Sequence, residues 1–137
     1  MCLFLEIVTP DSIAFAKEVK SVVLPTANGR IHILPHHIPI IDRVVPGYVK
    51  ISIQGEDDYF SINRGFVEVY GEKVSIITDG ASKAKEEDEA AIEEAISRAQ
   101  AALTEAKNSN IDQAKVDQLE AAARYEMAKK IARSKSR

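Results

Sequence analysis

The sequence predicts an α+β protein, with a β-sandwich or flattened barrel of eight to ten short strands in residues 1–82 and an antiparallel two-helix hairpin in residues 83–137. Three observations carry this reading. Apolar residues alternate with period two up to about Ala81, they recur at intervals of three and four beyond it, and no proline or glycine follows Gly80. Strands that run consecutively and are then followed by helices describe segregated α and β parts, not alternating βαβ units.

In the first part, apolar alternation marks candidate strands at residues 3–8, 13–15, 19–24, 31–34, 40–45, 48–54, 59–63, 67–70 and 74–78. The clearest is 48–54, where Val49, Ile51 and Ile53 face one way and Lys50, Ser52 and Gln54 the other. Turn formers bound these runs: Pro10, Pro25, Asn28-Gly29, Pro35, Pro39, Pro46-Gly47 and, after the clearest strand, Gly55-Glu56-Asp57-Asp58. Many short strands separated this way favour a sandwich or barrel.

In the second part, Ile92, Ile96, Ala99, Leu103 and Ala106 form one helical stripe, and Val116, Leu119, Ala123, Met127 and Ile131 form another. Asn108-Ser109-Asn110 breaks them, with Asn110 or Asp112 as the second N-cap. So short a break returns the second helix along the first. Thirteen alanines between Ala90 and Ala132 outnumber the larger aliphatic side chains, Ile111 among them. A buried methyl contributes roughly 0.8 kcal/mol and a full Leu or Ile about 1.5–3, so the hairpin seams are weak. Alanine nevertheless has the highest helix propensity, so each helix persists when its neighbour leaves. This combination suits a movable arm, whose roughly 50 residues reach about 75 Å when extended.

A chain of 137 residues suits one compact unit with an appendage, and 45% hydrophobic with 28% charged residues is the balance of a folded globular protein. Cys2 is the single cysteine, so no internal disulfide is expected and the residue reads as a small hydrophobe at a strand start. The first ten residues show no basic leader and include Glu6, and no apolar run nears membrane-spanning length. Membrane association is therefore expected only through partners.

Charge is unevenly distributed. Six acids and no base lie between Glu86 and Glu94, whereas the segment from Arg124 to Arg137 has six bases and Glu126 alone, a net +5 in a chain of net −3. Acids at residues 86–89 opening the first helix and Lys129, Lys130 and Arg133 closing the second would complement the helix dipoles. The bases exceed what dipole compensation requires, so an acidic partner for the tail stays open beside that reading. Basic residues are not interleaved with aromatics, which argues against nucleic-acid binding.

A metalloenzyme is one alternative, because His32, His36 and His37 cluster near Asp42; neither an H-x-H strand pair nor H-E-x-x-H is present. Nucleophilic catalysis and phosphate-loop chemistry have no motif, so no catalytic, metal or cofactor-binding residue is assigned. Composition leaves a free-standing adaptor open as well.

Specific segments narrow these alternatives. Val22-Val23-Leu24-Pro25, followed by the run from Asn28-Gly29-Arg30 through Leu34-Pro35-His36-His37-Ile38-Pro39-Ile40, resembles the signature of the epsilon subunit of F-type rotary ATP synthases. Gly65-Phe66-Val67-Glu68-Val69, Val74-Ser75-Ile76-Ile77-Thr78-Asp79-Gly80-Ala81 and Val8-Thr9-Pro10 are similar to that family's segments in the same order. His32 and His36 stand where glycines are usual, Ile38 replaces a small residue, and Arg64 replaces a glycine before Gly65.

The resemblance implies a non-catalytic subunit of a proton-transporting ATP synthase, in the central stalk, coupling c-ring rotation to ATP synthesis. Its implied partners are the gamma subunit through His37, Ile38, Pro39, Ile40 and Ile41, and the c-subunit ring through Asn28, Gly29 and Arg30. Arg124, Lys129, Lys130 and Arg133 would meet an acidic segment of the catalytic subunits transiently and restrain ATP hydrolysis. The implied place is the cytoplasmic side of a bacterial inner membrane or an energy-transducing organelle membrane. Some family members bind ATP on the first helix through I/L-D-x-x-R-A. Arg98-Ala99 fits that motif, but Ala95 takes the acidic position and Glu94 points about 100° away, so ATP is not expected as a ligand.

Overall fold

The computed structural model describes residues 2–109 and 112–136, so Met1, Asn110, Ile111 and Arg137 lie outside the described residues. Alternation produces ten strands: β1 Leu3–Val8, β2 Ile13–Val19, β3 Ser21–Thr26, β4 Gly29–Ile33, β5 Ile40–Val44, β6 Gly47–Ile53, β7 Glu56–Ile62, β8 Gly65–Tyr70, β9 Lys73–Thr78 and β10 Ala81–Lys83. Their order is β10-β7-β6-β3-β5-β8-β9-β1-β2, with β4 paired to β3. β1 and β9 pair in parallel. The sheet folds into a nearly closed sandwich, its interior filled by the inward-facing residues, among them Leu3, Leu5, Ile7, Leu24, Ile51, Ile62 and Ile76, all fully buried. Phe15 on β2 meets Phe60 on β7 edge to face at 5.5 Å, joining two strands near the opposite ends of the sheet order.

Two turns differ from the sequence expectation. The clearest strand ends at Ile53, and the chain reverses through Gln54 and Gly55, with φ of 41° and 87°, as a two-residue hairpin turn requires. Asp57 and Asp58 therefore belong to β7, where Asp57 accepts from Ser52 and faces Lys50 across the strand pair. Asn28-Gly29 is likewise not the whole turn. Ala27 and Asn28 connect the strands, and Gly29 opens β4 opposite Thr26.

Helix starts later than the change in composition. β10 and a 3-10 turn, Ala84–Glu86, precede α1 (Glu89–Asn108), which Asp88 caps by accepting from the Ala90 amide. Of the acids expected to open this helix, Glu86 and Glu87 lie before it, because the Asp88 cap fixes the first turn. Asp112 caps α2 (Gln113–Lys135). Ile92, Ile96 and Ala106 are buried along α1, as the stripe predicts.

The second stripe is rotated from its expected position. Val116 is buried, yet Met127 and Ile131 are exposed while Ala128 and Ala132 are buried. The cause is that α2 has two neighbours: it packs against α1 and also against β6 and β7. Small side chains face the sheet because they allow a helix to lie close to it. Ser61, on the outward face of β7, is fully buried for the same reason. Tyr125 packs on Gly80, where an added Cβ would lie 3.2 Å from its hydroxyl.

Two substitutions test the sandwich. A Cβ on Gly65 would stand 1.9 Å from the Ile77 carbonyl oxygen, so Gly65→Ala must push β8 from β9. Urea titration is expected to show a loss of about 2–3 kcal/mol, and a loss below about 0.5 would contradict this packing. The buried Thr78 hydroxyl lies 2.9–3.1 Å from the carbonyls of Asn63, Arg64 and Gly80 and accepts from the Gly80 amide at 3.3 Å. Thr78→Val keeps the shape and strands these groups, which predicts a loss of about 1–3 kcal/mol by the same titration.

Candidate functional site

The segment between β4 and β5 is built by a tight turn. Pro35 and His36 occupy its centre, the His37 amide donates to the Leu34 carbonyl at 3.1 Å, and His36 has φ of 67°. This left-handed position is where glycine is favoured, which accounts for the family's glycine there and makes His36 a strained substitute. His37 Nδ1 lies 2.7 Å from the Ile38 carbonyl. A carbonyl can only accept, so Nδ1 is the donor in this bond. Pro39 then leads into β5, where Ile40 packs on the core and Ile41 projects outward, as does Ile38 before it, both more than 70% exposed.

Ile41 is part of a larger feature. It pairs with Glu68, which places Phe66 and Tyr70 diagonally beside it. Phe66 pairs with Ile77, and Ile77 stands beside Val8 on β1, so Phe66, Ile77 and Val8 form an apolar row across three strands. Ile41, Phe66, Tyr70 and Ile77 are each more than half exposed, and Phe4 is more than one-third exposed. A groove of about 580 Å³ follows the row, with Arg43 and Arg64 at its rim. Among the described residues α2 lies over β6 and β7, away from this row. Sequence reasoning named residues 37–41 and did not name Phe4, Phe66, Tyr70 or Ile77. The available signal was Phe66 and Tyr70 sharing the outer face of β8 with Glu68, so that both faces of one strand carry apolar side chains.

Asn28, Gly29 and Arg30 form the opposite projection, the β3–β4 hairpin end. The Thr26 hydroxyl donates to the Gly29 carbonyl at 2.6 Å and accepts from the Asn28 amide, while the Asn28 side chain donates to Asp42. Arg30 turns back on the domain. Its Nη1 donates to the Tyr48 carbonyl at 3.0 Å, and its guanidinium stacks 3.9 Å over the Tyr48 ring. Partial burial pulls this guanidinium below its ordinary pKa, opposed by the charge interaction with Tyr48.

Most of the basic residues of the arm are engaged within the folded hairpin. Lys130 pairs with Glu93 at 2.8 Å, and Arg133 with Glu89 at 3.9 Å while also donating to the Glu87 carbonyl. Lys129 pairs with Glu126 and lies over the Tyr125 ring, whereas Arg124 is exposed. The acids before and at the start of α1 thus complement the bases at the end of α2 by direct contact as well as through the helix dipoles. Arg98 bonds Glu94 one turn earlier, on the exposed face of α1. Among the described residues no three His, Cys, Asp or Glu side chains converge as metal ligands, and the three histidines are spread over β4 and the loop after it.

The sandwich matches the family described as ATP synthase, Delta/Epsilon chain, beta-sandwich domain over residues 2–84. The ATP synthase epsilon chain of Staphylococcus saprophyticus is 42% identical over 115 residues, covering 82% of this chain and 86% of that one. The epsilon chain of Thioalkalivibrio sulfidiphilus is 36% identical over 137 residues, covering 97% and 96%. The fold is shared with a chain of the Euglena gracilis mitochondrial ATP synthase OSCP/F1/c-ring structure, with a TM-score of 0.76, 23% identity and coverage of 96% of this chain and 81% of that one. Sequence and fold agree along nearly the whole chain, and it belongs to the ATP synthase delta/epsilon family as an epsilon-type, non-catalytic subunit.

Proposed function

We propose that the chain sits in the central stalk of a rotary synthase, with residues 1–82 gripping the rotor and residues 83–137 as a regulatory arm. The observation that carries the reading is the uncovered apolar row. Contiguous exposed apolar surface marks an interaction site, and this one continues into the loop holding His37, Ile38 and Pro39. The gamma subunit is the partner proposed for it, and the c ring the partner for Asn28, Gly29 and Arg30. Through these contacts the chain couples proton-driven ring rotation to ATP synthesis without turnover of its own. No described helix is long and apolar enough to cross a membrane. The place proposed for the subunit, by family resemblance, is the cytoplasmic face of a bacterial inner membrane or an energy-transducing organelle membrane, reached through the complex.

The arm restrains ATP hydrolysis when it extends toward the catalytic alpha and beta subunits. In the folded hairpin Lys130 and Arg133 are held by Glu93 and Glu89, so the same bases cannot serve both states at once. These pairs are partly exposed and each contributes roughly 0–1 kcal/mol, small enough for a partner to exchange. The reading requires no cofactor and gives ATP no place on α1, where Glu94 engages Arg98.

Two measurements test this function. Ile41→Asp and Phe66→Asp are expected to weaken binding to gamma by about 100-fold or more in calorimetry while leaving the urea midpoint unchanged, because the side chains are exposed. Unaltered affinity in both variants would remove the docking face. In a Cys2→Ser background, bridging Glu93→Cys to Lys130→Cys with a short bifunctional reagent locks the hairpin closed. ATP hydrolysis by the reconstituted complex should rise relative to the unbridged protein, and identical rates would leave the arm without a regulatory role.

A further inference from the structure

Among the described residues, Tyr48 is the ring on which the hairpin end of the sandwich and the end of the arm meet. Arg30 stacks on it at 3.9 Å and bonds its carbonyl, and Lys135, from the last turn of α2, lies 5.2 Å from the same ring centroid. Tyr59 on β7 tilts against the ring from the neighbouring strand at 6.3 Å. At the other end of the docked stretch, Tyr125 rests on Gly80, and between the two anchors the buried residues of α2 are Ala128 and Ala132. Between these ends Lys129 lies over the Tyr125 ring and Arg133 donates to the Glu87 carbonyl, so the end of the arm is held by aromatic, methyl and polar contacts together.

We propose that Arg30 and Tyr48 form a relay by which a partner at the Asn28–Arg30 hairpin releases the tip of the arm. The inference rests on reading that hairpin as the ring-facing surface and the helices as a movable arm. Its physical basis is that Arg30 positions the ring. The guanidinium is planar, stacks on the aromatic face and bonds the backbone carbonyl of the same residue, so its withdrawal frees the Tyr48 side chain while the strand position stays paired with Ser61. Lys135 then loses a fixed face to sit on.

The opposing effect is repulsion between the two cations, which withdrawal of Arg30 would relieve. Both side chains lie at the solvent boundary, where such repulsion is screened, so loss of the positioned ring is the larger effect. A partner that offers carboxylates or carbonyl oxygens to Arg30 competes directly with the Tyr48 carbonyl. Contact with a rotor ring presenting such groups would therefore loosen the arm at a site distant from the α1–α2 ion pairs.

Hydrogen exchange on the isolated full-length chain tests the relay without any other subunit, so its outcome is separate from whether the chain binds gamma or the ring. Lys135→Ala should speed exchange of the α2 amides from Tyr125 to Ser136 by about two- to fivefold, the size of a surface cation–π contact. Arg30→Ala should give the same acceleration with the β1 and β9 amides unchanged, and the double variant should be no faster than either single one. Arg30→Lys keeps the charge but not the planar stack, and reports the same acceleration if Arg30→Ala disturbs the sandwich. Exchange in α2 that ignores Arg30 or Lys135, or a double variant in which the two effects multiply, overturns the proposal.

Discussion

A sheet bent into a sandwich has outer faces as well as an interior, and the arrangement of this protein follows from covering only part of that outside. The interior is closed by alternation and joined by Phe15 against Phe60. Over β6 and β7 the outside is covered by α2, closely enough to bury Ser61 completely. Over β5, β8, β9 and β1 it is left bare, and that is where Ile41, Phe66, Tyr70 and Ile77 stand. One part of the outer surface is thus uncovered while another carries the arm.

The two surfaces differ in how firmly they hold. Large side chains at a protein interface contribute the bulk of its affinity, whereas the buried residues near the end of the arm are Ala128 and Ala132, framed by Tyr125 and Lys135 and joined by the Arg133 bond to Glu87. Each buried alanine methyl contributes about 0.8 kcal/mol, comparable with one of the exposed ion pairs that join the helices. Several such contacts keep the arm docked in the free chain, and none of them is too strong for a competing partner. Helix propensity supplies the remaining requirement, because alanine-rich segments favour the helix even without a packing partner.

Most of the fold was legible in the sequence because period two survives in nine strands and the loss of proline and glycine after Gly80 is abrupt. The Gln54-Gly55 turn was misplaced because the acids that follow look like loop residues; their carboxylates are in fact taken up across the strand pair by Lys50 and Ser52. The rotated stripe of α2 has a different origin. A single hydrophobic face implies a single neighbour, and α2 has two, so alanines that appear neutral in the pattern become its most buried residues. Residues 37–41 were legible through resemblance, yet the apolar row beyond them depends on strand register, which no single segment displays. Arg30 was recognised as part of a projecting loop, while its turn onto Tyr48 is a contact over eighteen positions that only the folded chain reveals.

The central claim is that the bare face stays fixed while the covered face opens. It is tested most directly by the distance between spin labels on Tyr59→Cys of β7 and Arg124→Cys of α2, in a Cys2→Ser background, for the free chain and for the chain assembled with its partner subunits. The account predicts one short distance in the free chain and a second, longer population in the complex under hydrolysing conditions. A single short distance in both would mean that the arm never leaves the sheet, and would contradict it.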